Sequence, residues 1–362
     1  MSPLRVLFAP DYRSGNPYQS LLEEALSRHG IEVHYMSQYH RGLPLFRGTR
    51  ADAPDIVHLH WPEQYFRRGN DGLDWLRVMR YPLDCWLAAT SAPIVMTAHN
   101  LLPHNRINER GVFRNVRFTA QQSSAILVHS DTARQQIINS FKVPKECVHV
   151  IPFGDHAVRL GKPLPRETAR ATLQLPIDAK LCLVFGAVSP YKGTDELIRF
   201  WADARLPHRL VVVGPILSDT YAEQLRSLAQ DCPTICLRLT REWLDDESLR
   251  AWLSASDCVI SNYREILSSG AAALARSYGI PLLIPYRLAS ADLKEPHPHV
   301  FRFRALEDDF QVKLESALST PSDYDLAADW REETSWDRVA AATASVYRAV
   351  IGRPSLSIAI GS

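Results

Sequence analysis

Short apolar runs alternate with segments of helical period from one end of the chain to the other. Leu4–Ala9, Ile31–Met36, Asp55–His60, Pro93–Ala98, Ala125–His129 and Val148–Pro152 read as strands. Continuous apolar runs of this kind suit strands buried on both faces of a parallel sheet. Between them, Tyr18–His29 puts Leu21, Leu22, Ala25 and Leu26 on one helical face, and Gly30 stops it. Gly72–Ala89 has a helical pattern that Pro82 should interrupt. Gly111–Gln122 is the next helix, and another starts at Asp131, read as its N-cap.

Residues 154–178, GDHAVRLGKPLPRETARATLQLPID, break the alternation with glycine, proline and mixed charge, so 156–178 reads as a linker. A second alternation follows. Its strands are Leu181–Gly186, Arg209–Gly214, Thr234–Leu239, Asp257–Ser261 and Pro281–Pro285. Helical patterns cover Thr194–Ala204, Tyr221–Gln230, Asp246–Ser254, Ser268–Tyr278, Leu306–Leu318 and Ser335–Ile351. The pattern predicts an α/β protein with two doubly wound, Rossmann-like domains facing a cleft, over residues 1–155 and 179–334. In such sheets ligands sit beyond the carboxyl ends of the strands, which selects the loops that carry chemistry.

A chain of 362 residues is long enough for two full cores. The net charge of +1 gives no global field for nucleic acid. Basic residues are nevertheless in excess in the first half, which becomes the expected seat of an anionic partner. The six cysteines are scattered, without zinc spacing, and suit a reducing, cytoplasmic compartment. No apolar run is long enough to span a bilayer, and the N-terminal one is too short for a signal peptide.

Two loops of the second half suit phosphate. Phe185–Gly193, FGAVSPYKG, leaves a strand and enters a helix. Its Gly186 and Gly193 free the backbone to offer N–H groups, and Lys192 adds a positive charge. Asn262–Ala271, NYREILSSGA, does the same with Arg264, Glu265, Ser268, Ser269 and Gly270. Each loop alone also reads as an ordinary strand–turn–helix junction; two in one domain favour a diphosphate. Neither GxGxxG nor a Walker sequence occurs, which argues against a dinucleotide oxidoreductase and a P-loop ATPase.

In the first half, His58-Leu59-His60-Trp61-Pro62-Glu63 ends a strand. Alternate histidines raise the question of a metal, but no carboxylate pattern supports one, so a hydrogen-bonded pair is expected. Glu63 is the candidate general base, though it also reads as a helix-start acid near a macrodipole, and Asp11 is the second choice. His99-Asn100 ends the next strand, and Asn16 sits in the first loop, where GNPY also forms a turn by itself. Arg106, Arg110, Arg114 and Arg117 share a helical face. Arg67, Arg68, Arg77 and Arg80 mix with Trp75, Met79 and Trp86, a composition that suits an anionic membrane surface or a lipid pyrophosphate.

GAVSPYKG followed by NYREILSSGAAALARSYGIPLLIP resembles the donor-binding signature of GT-B glycosyltransferases, and GNPYQSLLEEAL, DIVHLHWPEQYF and VMTAHNLLPHN agree with it. The set is most similar to bacterial exopolysaccharide glycosyltransferases, particularly the xanthan-type gum β-mannosyltransferases, and more distantly to the retaining enzymes of glycosyltransferase family 4. The resemblance implies transfer of a sugar, GDP-mannose being the favoured donor, to a lipid-linked oligosaccharide or other glycan. It implies no metal and no cofactor besides the nucleotide sugar. Gly186, Lys192, Gly193, Arg264, Glu265, Ser268, Ser269 and Gly270 would bind the donor, while Asn16, His60 and Asn100 would hold the acceptor. His99 would contact the donor sugar, the last helix would cross back onto the first domain, and the enzyme would work at the inner face of the cytoplasmic membrane. Departures from the retaining branch are Ala187 and Ala273, where that branch carries Arg and a second Glu, and they leave ribose recognition unassigned. A nucleotide-sugar epimerase and a catalytically silent nucleotide- or glycan-binding partner are the competing readings.

Overall fold

The computed structural model describes residues 3–13, 16–36, 42–66, 74–100, 109–264, 267–286 and 297–352. They form two compact units, Met1–Gly154 with Ser335–Ser362, and Asp155–Thr334.

The first unit runs β1 (Leu4–Ala9), α1 (Tyr18–Ser27), β2 (Ile31–Tyr35), α2 (Pro44–Asp52), β3 (Ile56–Leu59), α3 (Asp74–Ser91), β4 (Ile94–Thr97), α4 (Glu109–Gln122), β5 (Ala125–Val128), α5 (Asp131–Phe141) and β6 (Val148–Val150). Its sheet is wholly parallel in the order β2-β1-β3-β4-β5-β6. The second unit runs α6 (Arg166–Thr172), β7 (Leu181–Phe185), α7 (Thr194–Asp203), β8 (Arg209–Pro215), α8 (Asp219–Ala229), β9 (Ile235–Thr240), α9 (Asp246–Ala255), β10 (Cys258–Ile260), α10 (Gly270–Ser277), β11 (Leu282–Pro285), β12 (Val300–Phe303), α11 (Phe310–Ser319) and α12 (Ala328–Glu333). Its parallel sheet has the order β12-β11-β10-β7-β8-β9. Helix α13 (Trp336–Ile351) closes the described chain on the first unit, burying Trp336, Val339, Ala340 and Tyr347 against residues of α1 and β1.

The two α/β units are the expected doubly wound sheets. Every residue of β3, β4, β5 and β7 is buried, as strands covered on both faces require. Four local expectations are corrected. Pro82 does not interrupt α3. A helical proline leaves the carbonyl four residues back without its donor, and here Asn115 Nδ2 on α4 donates to Val78 O at 2.9 Å in its place. Ser130, not Asp131, caps α5: its Oγ accepts from Ala133 N at 3.0 Å, and Asp131 begins the helix.

Helix α2 was not foreseen. Its first turn is held from outside by Asp84 of α3, whose buried carboxylate accepts from Leu45 N and Phe46 N at 3.2 and 2.9 Å. Finally, 156–178 is no linker. Arg170 of α6 is 1% exposed and donates to the Asp257 carboxylate at 2.8 Å and to the carbonyls of Pro176, Ala179 and Ala255. Composition suggested a solvated connection, but the buried Arg170–Asp257 pair builds the segment into the second unit.

Candidate active site

In the first unit, the carboxyl ends of β3 and β4 bring His60, Trp61, Glu63, Thr97, His99 and Asn100 to the wall of one pocket. Trp61 stacks on His99 with centroids 4.3 Å apart and planes at 12°, and Tyr12, beyond β1, lies 4.9 Å from Trp61 on its ring. His60 Nδ1 and His99 Nε2 are 3.4 Å apart, so one ring donates to the other. Glu63 is half-buried in a 3-10 turn, Pro62–Tyr65. Burial first, and then the charge of Glu63, raise the Tyr12 phenol above its ordinary value. The acid therefore sits within electrostatic reach of the aromatic stack.

The two histidines expected to form a hydrogen-bonded pair bond other groups instead, His60 to His99 and His58 to Tyr347 and Thr97, within a larger array. His58 is fully buried, with Tyr347 Oη 2.5 Å from Nδ1 and Thr97 Oγ1 2.7 Å from Nε2, so both nitrogens are committed. Its ring lies 4.1 Å from that of His60. Among the described residues, no group of three His, Cys, Asp or Glu is arranged to hold a metal ion. Burial pushes His58 down to about 3 and His129 down to about 4, and it lowers His60 well below the usual range, with His58 and His129 adding to it.

A histidine whose folded pKa lies below its unfolded value of about 6.5 stabilises the protein fully above 6.5. That contribution is lost as the pH falls toward 4 and 3. Each such imidazole steepens the loss by up to ~1.4 kcal/mol per pH unit. Urea midpoints measured from pH 7.5 to 4.5 should therefore fall less steeply in His58→Gln than in the parent. Equal slopes would show that His58 does not titrate on unfolding.

The other two sequence candidates are engaged elsewhere. Asp11 pairs with Arg13 at 2.9 Å, and this hydrogen bond holds its carboxyl below the ordinary range. A base at neutral pH needs the opposite shift, so Asp11 ranks well behind Glu63. Asn16 Oδ1 accepts from Tyr18 N at 3.0 Å, which gives this side chain the turn role at the start of α1.

In the second unit, β7 lies between β10 and β8, so the order of connection reverses between β7 and β10. The two phosphate-suited loops leave these two strands, flanking the reversal where α/β sheets bind ligands. They are locked together. Gly193, the N-cap of α7, has φ +63, and a Cβ there would stand 2.4 Å from Asn262 O. Asn262 Nδ2 returns a bond to Gly193 O at 3.0 Å. At the start of α10, Ser269 Oγ accepts from Ala272 N at 3.1 Å and donates to Tyr263 Oη at 3.2 Å. Ser268 and Gly270 flank it, half-buried, and Glu265 lies outside the described residues.

Both cations are held within the loops rather than projecting from them. Lys192 is 7% exposed; its Nζ donates to Phe185 O at 2.8 Å and lies 5.5 Å from the Tyr263 ring centroid, beside Gly186. Arg264 donates through Nε to Glu196 at 2.9 Å, through Nη2 to Asp195 at 2.9 Å, and through Nη1 to Pro190 O. Asp195 and Glu196 were missed as site residues, although two acids in the first turn of a helix are a legible signal. Thr194 Oγ1 and Ser261 Oγ, both buried beside these loops, have no hydrogen-bond partner among the described residues.

Residues 18–154 match the family Glycosyltransferase Family 4. The chain is 26% identical over 303 residues to a GDP-mannose:glycolipid 4-beta-D-mannosyltransferase of Xanthomonas campestris pv. campestris, covering 81% of this chain and 76% of the relative. It is 25% identical over 377 residues to a D-inositol 3-phosphate glycosyltransferase of Streptomyces coelicolor, covering 92% and 76%. The structure of Anabaena HepE in complex with UDP and glucose superposes with a TM-score of 0.69 at 14% identity, covering 96% of this chain and all of the other, which bears on the fold alone. The likeness read from the motifs holds: the chain has the GT-B architecture and is a glycosyltransferase.

Proposed function

We propose that this glycosyltransferase moves mannose from GDP-mannose to a lipid-linked oligosaccharide or a related glycan in bacterial polysaccharide assembly. The observation that carries the reading is its similarity, along most of its length, to a relative named for GDP-mannose as donor and a glycolipid as acceptor. The second unit supplies the donor site, with the loops after β7 and β10 receiving the diphosphate. The first unit supplies the acceptor pocket. Glu63 takes the proton of the attacking hydroxyl as the new bond forms at the anomeric carbon. The bond to the diphosphate breaks with inversion, and Lys192, Arg264 and the α10 amides stabilise the leaving charge. Arg264 is pre-oriented for this by Asp195 and Glu196. Six unpaired cysteines suit the cytoplasm, and a lipid-linked acceptor makes the enzyme a peripheral protein at the inner membrane face.

The testing experiment supplies GDP-, UDP-, ADP- and TDP-sugars with and without a polyprenyl-linked oligosaccharide. GDP release from GDP-mannose that depends on the acceptor is expected. Donor turnover without acceptor would make the chain an epimerase, and donor binding without nucleotide release would make it a silent partner.

Lys192 gives a separate test. Lys192→Met keeps the buried stem and removes the charge, so GDP affinity should fall by about 10- to 150-fold, the loss of one charged contact of ~1.5–3 kcal/mol. Calorimetric titration measures it, and an unchanged Kd would remove Lys192 from the donor site.

A further inference from the structure

From Asp74 to Trp86, the exposed residues of α3 are Trp75, Leu76, Met79, Leu83 and Trp86, all of them large and apolar. Trp75, Met79 and Leu83 are 61, 63 and 53% exposed. Spacings of four, four and three from Trp75 through Met79 and Leu83 to Trp86 align them on one face, with Leu76 alongside. A surface helix normally turns its polar side to solvent, whereas α3 buries Val78, Tyr81, Cys85 and Ala88 on one side and shows an apolar ridge on the other.

The flanks of the ridge are basic. Helices α2 and α4 both pack against α3. Helix α4 presents the exposed Arg110 and Arg114, and Arg114 Nη2 reaches Met79 Sδ at 3.8 Å, so a guanidinium stands at the edge of the ridge. Helix α2 presents the exposed Arg47 and Arg50. The acids of α2 and α3 are turned to other work: Asp52 holds Arg5 and His34, Asp74 holds Arg77, and Asp84 is buried as the cap of α2. No helix among the described residues is long and apolar enough to cross a membrane.

We infer that the α2–α3–α4 face docks on an anionic lipid bilayer, with Trp75, Met79, Leu83 and Trp86 entering the headgroup–acyl boundary and Arg47, Arg50, Arg110 and Arg114 meeting lipid phosphates. The inference rests on the lipid-linked-acceptor reading only for its purpose; the docking itself needs neither donor nor acceptor. An apolar ridge alone would fit a second copy of the chain or another protein. Arginines on both neighbouring helices, with the acids of α2 and α3 engaged elsewhere, favour a surface dense in phosphate, where apolar insertion and charge attraction act together.

The test is co-sedimentation of the intact protein with vesicles of phosphatidylcholine alone and with one-third phosphatidylglycerol, at low and high salt. Binding should be at least tenfold tighter to the anionic vesicles and should weaken with salt, because exposed charges are screened. Indole emission should shift to the blue on binding. Met79→Glu should lower the anionic-vesicle affinity at least tenfold and Arg110→Glu/Arg114→Glu severalfold, with unchanged circular dichroism and GDP affinity. Neither substitution should alter turnover of a water-soluble, delipidated acceptor, so a failed docking is distinguishable from a failed acceptor assignment. Equal binding to both vesicles, full binding by both variants, or a Met79→Glu variant whose only effect is to dissociate a dimer in gel filtration would each overturn the proposal.

Discussion

Glu63→Gln is expected to lower kcat for sugar transfer by about 10²–10⁴-fold while affinity for the nucleotide donor stays nearly unchanged. The carboxylate stands in the 3-10 turn beyond β3, on the wall of the pocket it shares with His60, Trp61, His99 and Asn100. A glutamine there keeps the shape and the acceptor oxygen but has no useful proton affinity, so only the proton-transfer step is lost. Donor affinity is the control, because the diphosphate is assigned to loops of the other unit. Initial rates with GDP-mannose and acceptor, paired with calorimetry on GDP, make the measurement. Loss of GDP affinity would make Glu63 a donor ligand, and near-normal turnover would move the base elsewhere. Asp11→Asn, assayed alongside, should change kcat much less, since Arg13 already stabilises that carboxylate in its charged form. Retention of anomeric configuration in the product, read by NMR, would count against any single base-assisted displacement.

The sequence displayed the sheets well and the tertiary partnerships poorly, for physical reasons. A strand covered on both faces must be apolar throughout, and LCLVF or IVHL announces itself locally. β12, VFRF, is the edge strand beside β11, only half-buried at Phe301 and Arg302, so its four residues give a weaker local signal. Helix α2 carries Gly48 in its middle and is held by a carboxylate from α3, so no local pattern marks it. The continuity of α3 depends on Asn115 serving the carbonyl that Pro82 strands, a contact 37 residues away in sequence.

The site divides in the same way. Gly186, Gly193, Lys192 and Arg264 sit on loops that the strand–helix order exposes to reading, but their side-chain states do not follow from it. That Lys192 is buried beneath Tyr263, and that Arg264 is clasped by Asp195 and Glu196, are consequences of β7 and β10 lying side by side. Asp195 and Glu196 were legible as the acids of a first helical turn; only the packing shows which arginine they hold.

Asp257→Ala is expected to destabilise the protein by about 3–5 kcal/mol, the range for removing one partner of a buried ion pair. Asp257 stands just before β10, where its carboxylate accepts from Leu181 N at 2.7 Å, Arg170 Nη2 at 2.8 Å and Arg166 Nη1 at 2.6 Å. Loss of the two Arg166 contacts costs less, because that side chain is 40% exposed and water can replace part of what it loses. Arg170 is different. At 1% exposure its charge has no water to turn to, and the remaining carbonyl contacts supply dipoles but no counter-charge. Urea unfolding measures the effect as a lowered midpoint at constant slope.

Because the cost lies in the abandoned cation rather than in a missing attraction, Asp257→Ala/Arg170→Leu should regain a large part of the loss. Asp257→Asn, which keeps one acceptor for Leu181 N, should fall between parent and Asp257→Ala. A single substitution costing under ~1 kcal/mol, as for an exposed pair, would show that Arg170 finds solvent in the variant. The double substitution being worse than the single would show instead that the Arg170 fork, through its carbonyl bonds to 176–179, is what ties α6 to the sheet.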